Sequence, residues 1–367
     1  MTKEIATVSG LAEPLIARYR GLICDLDGVV YRGAAAVPHA VETVTRLTAD
    51  GVPVVFATNN ASRSPEGVGD HLRGIGLAPG GWSVVNSSQA AAAYLAQRLA
   101  RGGRVYAVGG PGVAHALAEA GLTPVRVAEL EDAPVEAVVQ GLGIDITWTE
   151  LAAVGRVVEG GATWVATNLD LTLPTPYGKA PGNGALVALV QTATSAEPHV
   201  VGKPQRALFD LARSRLGSAP QDTLVCGDLL HTDIEGANAA GLDSLFVLSG
   251  SSRLRDLALA ERPLRPTYVA ADVGGLLAPA LAVPGPSAAH LLELGPGGVP
   301  LIPRADDAGS GNGLGNGNGN GNGLGNGALL QAVVATAWAA RDEGRPVSDD
   351  AGSWEGIERR LGLVQPP

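Results

Sequence analysis

The run Leu22-Ile23-Cys24-Asp25-Leu26-Asp27-Gly28 is an apolar strand that ends in two carboxylates and a glycine. Residues two apart on a strand share a face, so Asp25 and Asp27 converge at the carboxyl end, the edge where open α/β sheets hold their ligands. Such a pair suits a cation-assisted reaction. Three further segments have the same form. Val54-Val55-Phe56-Ala57 runs into Thr58-Asn59-Asn60, Val200-Val201-Gly202 into Lys203-Pro204, and Leu224-Val225-Cys226 into Gly227-Asp228, with Thr232-Asp233 just beyond. Taken singly, each also fits an ordinary role. Asp228 and Asp233 suit a turn and a helix cap, Thr58 and Asn59 suit a cap, and Lys203 is one of 26 basic residues. Their co-occurrence, in one order at successive strand ends, is the argument for a site.

Bringing four strand ends to one edge requires a parallel sheet. Short branched apolar runs do alternate with Ala/Leu-rich segments of helical length, the pattern of βα units. It predicts strands over 22–25, 52–57, 104–108, 137–140, 164–166, 223–226 and 244–248. Helices are predicted over 38–49, 65–75, 89–100, 111–120, 149–159, 184–192, 205–216 and 233–240. These are more elements than one simple sheet uses, and Pro/Gly-rich breaks at 172–184 and around 198–204 set off a middle block. The expected fold is therefore α/β, a parallel-sheet core with the middle block inserted in it and a small C-terminal extension. The expected divisions are 15–98 and 200–266 for the core, 99–199 for the inserted block and 267–367 for the extension. Within the extension, the nearly alternating Gly/Asn tract at 309–327 offers little to bury against the entropy of ordering it. Residues 328–341 then read as an amphipathic helix with Leu329, Val333, Thr336 and Ala340 along one stripe, and 349–363 as a further short helix.

A formal charge of -10 supplies no basic footprint for a nucleic-acid backbone. No apolar run approaches the roughly 20 residues that cross a bilayer, and Met1 to Gly10 lacks the apolar core of a signal peptide. Neither nucleic acid nor membrane is an expected partner. The two cysteines, Cys24 and Cys226, each end an apolar run beside a motif aspartate. They read as buried thiols in a reducing compartment, with the cytoplasm the expected location.

The four segments in this order resemble the haloacid dehalogenase superfamily of phosphohydrolases. The resemblance rests on Asp25-Leu26-Asp27-Gly28-Val29-Val30-Tyr31, Thr58-Asn59-Asn60-Ala61-Ser62-Arg63, Gly202-Lys203-Pro204, and Gly227-Asp228 followed by Thr232-Asp233-Ile234-Glu235-Gly236-Ala237. Cap landmarks join them: Thr167-Asn168-Leu169-Asp170 with Leu173-Pro174, and Pro181-Gly182-Asn183-Gly184. Within the superfamily the chain is similar to the large-cap group of NagD-type, 4-nitrophenylphosphate and phosphoglycolate phosphatases. Its Ala, Gly and Val content and extra C-terminal module look like the glycerol 3-phosphate phosphatases of actinobacteria. The resemblance spans about residues 18 to 270 and leaves the tail uncovered.

It implies a three-layer Rossmann-like core with the inserted block as an α/β cap domain. It also implies an Mg²⁺-dependent phosphomonoesterase acting on a small soluble phosphate, with glycerol 3-phosphate the first choice. Phosphoglycolate, sugar phosphates and 4-nitrophenyl phosphate are the alternatives, as is a phosphotransferase using the same intermediate. Asp25 becomes the nucleophile that forms an aspartyl-phosphate, and Asp27 the general acid and base. Asp25, the Asp27 backbone carbonyl and Asp228 become Mg²⁺ ligands, with Asp233 supporting through water, as befits a hard cation among oxygen donors. Thr58 and Asn59 bind phosphate, and Lys203 screens Asp25 while holding the phosphoryl group. A homodimer paired through the caps is the assembly the resemblance implies.

Lesser candidates surround these. Asp145 and Asp170 stand where the family has cap carboxylates, Asp145 fitting a turn equally well. Lys179 suits an anion or plain solvent, and His231 suits substrate or a solvated helix start. Trp148 and Trp164 read as cap packing. The remaining histidines, His39, His71, His115, His199 and His290, show no zinc-ligand spacing, and Val108-Gly109-Gly110-Pro111-Gly112 lacks the full dinucleotide fingerprint.

Overall fold

A computed structural model describes residues 13–175, 177–279, 292–295, 297–302 and 326–363. Six parallel strands form the main sheet. Their spatial order is Tyr268–Ala270, Asp243–Val247, Thr223–Gly227, Gly21–Cys24, Val54–Thr58 and Trp82–Asn86. Gly21–Cys24 is central, with Leu22 opposite Leu224 on one side and Val54 on the other. The chain order reverses across this strand, so its carboxyl end opens into the crevice where such sheets bind ligands.

Strand periodicity divides the apolar residues between the two faces. Leu22, Cys24, Phe56 and Leu224 pack with Val44 and Leu47 of helix Ala40–Ala49. Ile23, Val55, Ala57 and Val225 pack with Leu208, Phe209 and Ala212 of helix Arg206–Leu216. With both faces covered, the strands are apolar throughout rather than alternating. Cys24 and Cys226 are buried and unpaired.

Between Trp82–Asn86 and Thr223–Gly227 the chain builds a second, five-stranded parallel sheet. Its order is His199–Val200, Thr163–Ala166, Ala137–Gln140, Arg104–Val108 and Thr123–Val125. This is the inserted cap, and Tyr106, Val138, Val154, Trp164 and Val187 make its core. The predicted Pro/Gly-rich break at 172–184 is in fact an antiparallel hairpin, Thr172–Thr175 with Gly178–Pro181, followed by helix Asn183–Gln191. Trp82–Asn86, Thr123–Val125 and Tyr268–Ala270 are strands that apolar runs did not reveal, being interrupted by Ser83 and Pro124 or only three residues long. Trp164 packs as expected, whereas Trp148 begins helix Trp148–Glu159 on the solvent side, 78 % exposed.

The predicted single stripe in the tail is also corrected. Helix Asn326–Asp342 is buried nearly all round from Leu330 to Ala340. Leu330, Val333, Val334, Ala337 and Trp338 pack on Leu254, Leu257 and Val269 of the core, with Trp354 and Ile357 of helix Ala351–Arg360 closing the cluster. Trp338 Nε1 donates to Leu257 O at 2.7 Å, and the two terminal guanidinium nitrogens of Arg265 each reach the Asp342 carboxylate at 2.9 Å. The apolar side of this helix is covered by its own chain. The Gly/Asn tract at 309–327 lies outside the described residues except for its last two positions. Among the described residues no helix is long and apolar enough to cross a membrane.

Candidate active site

Asp25 and Asp228 each sit just past the end of a central strand. Asp25 follows Gly21–Cys24 and extends its ladder, its N–H donating to Cys226 O at 2.9 Å. Lys203, on the loop after His199–Val200, reaches back so that Nζ bonds Asp25 Oδ1 and, at 2.7 Å, Asp233 Oδ1. The lysine side chain is only 5 % exposed. Burial alone would lower its pKa, but the attraction of Asp233 and Asp25 outweighs that and holds the ammonium above its ordinary value.

Asp228 follows Thr223–Gly227 and is fully buried. Its Oδ2 accepts from Ser251 N at 2.6 Å, while Oδ1 has no hydrogen-bond partner. Two glycines make room for it. A Cβ on Gly250 would lie 1.8 Å from Asp228 Oδ2, and one on Gly28 2.5 Å from the same atom, with Gly28 already in the left-handed region at φ +87°. Ser249 Oγ donates to Gly28 O at 2.8 Å and ties the two loops together. Asp233 lies in a single π-type turn, Leu230–Ile234, before helix Glu235–Ala240, in place of the one helix predicted over 233–240. Its Oδ2 accepts from Leu229 N at 3.0 Å, closing that turn. Such turns recur at functional sites.

Asp25, Asp228 and Asp233 bring one carboxylate oxygen each within 4.8 Å of one another. Three carboxylates around one ammonium leave two formal negative charges in a buried pocket. Burial, then the Asp233 carboxylate, pushes Asp228 up to about 7. Asp25 is also raised, chiefly by burial; Lys203 opposes the shift, and Asp233 and Asp228 add to it. An all-oxygen donor set, a partnerless buried Asp228 oxygen and a deficit of two positive charges fit a hard divalent cation. A second grouping, Glu66 with His115 and Glu119, has all three members exposed on helix surfaces; it is a contact of His115 that sequence spacing did not reveal.

Asp27 is exposed to solvent but flanked by protein whose desolvation raises its pKa; Lys203, His71 and Arg63 partly offset the rise. Thr58 is buried at the end of its strand, with Oγ1 accepting from Asn60 N at 3.1 Å. Asn59 clasps the lysine loop, accepting from Lys203 N at 2.7 Å and donating to Lys203 O at 3.0 Å. Its Nδ2 also donates to Asp170 of the cap at 3.2 Å. Burial raises Asp170, and Asn59 counteracts it.

Asp25, Asp27, Thr58, Asn59, Lys203, Asp228, Asp233 and Asp170 are thus brought to one end of the main sheet. Asp145 and Lys179 are exposed on a cap loop and on the hairpin, with no bond to this cluster. His231 is 80 % exposed and 3.8 Å from Glu235. Ser249, Gly250 and Ser251 escaped sequence reading, although Leu245-Phe246-Val247-Leu248 runs into them just as the other apolar runs end in motif residues. Their contribution is largely backbone.

A haloacid dehalogenase-like hydrolase family model matches residues 22–123, and a HAD-hydrolase-like model matches 200–276. The D-glycerol 3-phosphate phosphatase of Mycobacterium tuberculosis is 40% identical over 335 residues, covering 90% of each chain. The acid sugar phosphatase of Staphylococcus aureus is 34% identical over 261 residues, 71% of this chain and 98% of that one. Among solved structures, the glycerol phosphate phosphatase from Mycobacterium tuberculosis in complex with magnesium superposes with a TM-score of 0.76 at 35% identity, covering 96% of this chain and 100% of that one.

Proposed function

The chain belongs to the haloacid dehalogenase-like hydrolases and is a phosphatase of that family, and from that premise we propose that it hydrolyses glycerol 3-phosphate through an aspartyl-phosphate on Asp25. Asp25, the Asp27 carbonyl and Asp228 would hold Mg²⁺, supported by Asp233. Bound there, the ion supplies positive charge to the carboxylates and to the non-bridging phosphoryl oxygens.

Lys203 and the Asn59 turn orient the phosphoryl group against Asp25, because this reaction asks mainly for positioning and charge stabilisation. An Asp25 carboxylate oxygen attacks phosphorus as the bond to the ester oxygen breaks. Asp27, whose raised pKa favours keeping a proton, gives it to the departing alkoxide. It then takes a proton from the water that attacks the aspartyl-phosphate, releasing inorganic phosphate and restoring Asp25. The cap over this end of the sheet shields the intermediate.

The observation that carries this reading is the convergence of Lys203 with Asp25 and Asp233 beside the partnerless oxygen of Asp228. Likeness to a glycerol 3-phosphate phosphatase over 90% of the chain supports the substrate. The test is phosphate release from glycerol 3-phosphate, phosphoglycolate, sugar phosphates and 4-nitrophenyl phosphate, with and without Mg²⁺, using Asp25→Asn as the blank. Glycerol 3-phosphate turned over no better than the others overturns the substrate assignment.

The division at 15–98, 99–199, 200–266 and 267–367 belongs to the same proposal, supported by the two separate sheets. So does a homodimer, for which Ile144, Trp148 and Tyr177 supply exposed apolar side chains on the cap. Light scattering giving one chain's mass overturns the dimer. Two buried unpaired thiols support a cytoplasmic location.

A further inference from the structure

Asn168 and Asn183 take no part in the chemistry above, yet both are buried, where an amide is costly unless it is hydrogen-bonded. Asn183 directs its Nδ2 to two carbonyls and leaves Oδ1 without a partner among the described residues. Asn183, at the start of helix Asn183–Gln191, donates from Nδ2 to Asn168 O at 2.9 Å and to Gln140 O at 3.3 Å. Asn168 donates from its own Nδ2 to Asn59 O at 2.8 Å, and its Oδ1 accepts from Asp170 N at 3.1 Å. Asn59 then clasps both backbone groups of Lys203. A continuous line of amides therefore runs from the cap to the lysine that bonds Asp25.

The packing leaves this line no slack. A Cβ on Gly202 would lie 2.2 Å from Thr167 O and 2.6 Å from Asn59 Oδ1. One on Gly184 would lie 2.1 Å from Leu169 O, and one on Gly182 2.2 Å from Asp170 O. Gly182 N and Gly184 N donate to Leu171 O at 2.9 Å and Asp170 O at 3.0 Å. The loop at 181–184, the loop at 167–171, the Asn59 turn and the lysine loop are stacked backbone on backbone, which is why the cap landmarks are spelled in Gly and Asn.

We propose that Asn183 and Asn168 are positioning residues that transmit the seating of the cap to Lys203 and the Thr58–Asn59 turn. Asn183 acts through Asn168, and Asn168 through Asn59; neither touches the reacting atoms. The inference rests on the phosphatase reading. Its consequence is specific: breaking the line slows phosphoryl transfer while leaving substrate binding nearly intact, because a misplaced lysine costs most in the transition state.

The test is steady-state kinetics of the full chain with Mg²⁺ on 4-nitrophenyl phosphate and glycerol 3-phosphate. Asn168→Asp and Asn183→Asp keep the side-chain shape but set an acceptor against a carbonyl, and Asn168→Ser, smaller and uncharged, decides the matter if the aspartate variant fails to fold. Each is expected to lower kcat by about 10-fold or more with KM held within about 3-fold, as small misplacements do. Combined with Asn59→Ala, the Asn168 variants should cost little beyond Asn59→Ala alone, the non-additivity of residues acting in series. A kcat within about 2-fold of wild type, or losses that multiply independently with Asn59→Ala, overturns the inference while the wild type stays active. A wild type that releases no phosphate overturns the phosphatase reading beneath it as well.

Discussion

Removing divalent ions should make the protein progressively less stable as pH rises, and Mg²⁺ should reverse the trend. Asp228 is raised to about 7 in the folded chain, against an ordinary value of 3.8. Between those two values the folded state holds a proton that the unfolded state has released, so stability falls with rising pH and the loss is complete above about 7. The shift corresponds to a penalty of about 4 kcal/mol at full ionisation, and Asp25 is shifted in the same direction. Mg²⁺ binds the ionised carboxylates and should recover much of that penalty where they are charged. For a chain of 367 residues each kcal/mol moves the unfolding midpoint by about 1 °C. Thermal unfolding from pH 5.5 to 8.5, in chelator and in Mg²⁺, should show an Mg²⁺ increment that is small at the acid end and grows toward the alkaline end. In Asp228→Asn the chelated protein should lose the share of this pH dependence that Asp228 carries and keep the share carried by Asp25. An increment that is flat with pH, or largest at pH 5.5, would refute the charge accounting.

Other outcomes follow from the same geometry. Lys203→Met leaves Asp25 and Asp233 buried without their shared ammonium and should cost about 3–5 kcal/mol in chelator, measured by denaturant unfolding at pH 8; a loss below about 1 kcal/mol would contradict the ion-pair geometry. Gly250→Ala drives a methyl group into the Asp228 carboxylate, so Mg²⁺ affinity, read by calorimetry, should fall steeply while the fold signal in circular dichroism persists. Trp338→Ala empties the seam between tail helix and core and should cost about 3–5 kcal/mol, with phosphate release at low temperature nearly unchanged.

The site was legible because its chemistry follows strand ends. Short continuous apolar runs place Asp25, Thr58 and Asp228 at the carboxyl edge of neighbouring strands, and the Gly202-Lys203 segment supplies the cation. What escaped was backbone work. Ser251 serves Asp228 through its N–H, which leaves no side-chain signature. The hairpin at 172–181 was hidden because Pro174 and Pro181 punctuate it, as edge positions permit. The tail helix reads as one-sided because alanines at 332, 335, 337, 339 and 340 hide how completely a helix can be enclosed. Trp148 reads from sequence as cap packing rather than a stacking platform, whereas at the start of its helix it stands exposed to solvent.

The central claim is that Asp25 takes the phosphoryl group covalently. Rapid acid quenching of the Mg²⁺-loaded protein during turnover of ³²P-labelled substrate tests it most directly. Protein-bound label that hydroxylamine removes, that maps to the peptide carrying Asp25 and that is absent from Asp25→Asn is the predicted result. Turnover persisting in Asp25→Asn, or label mapping to another residue, would contradict it.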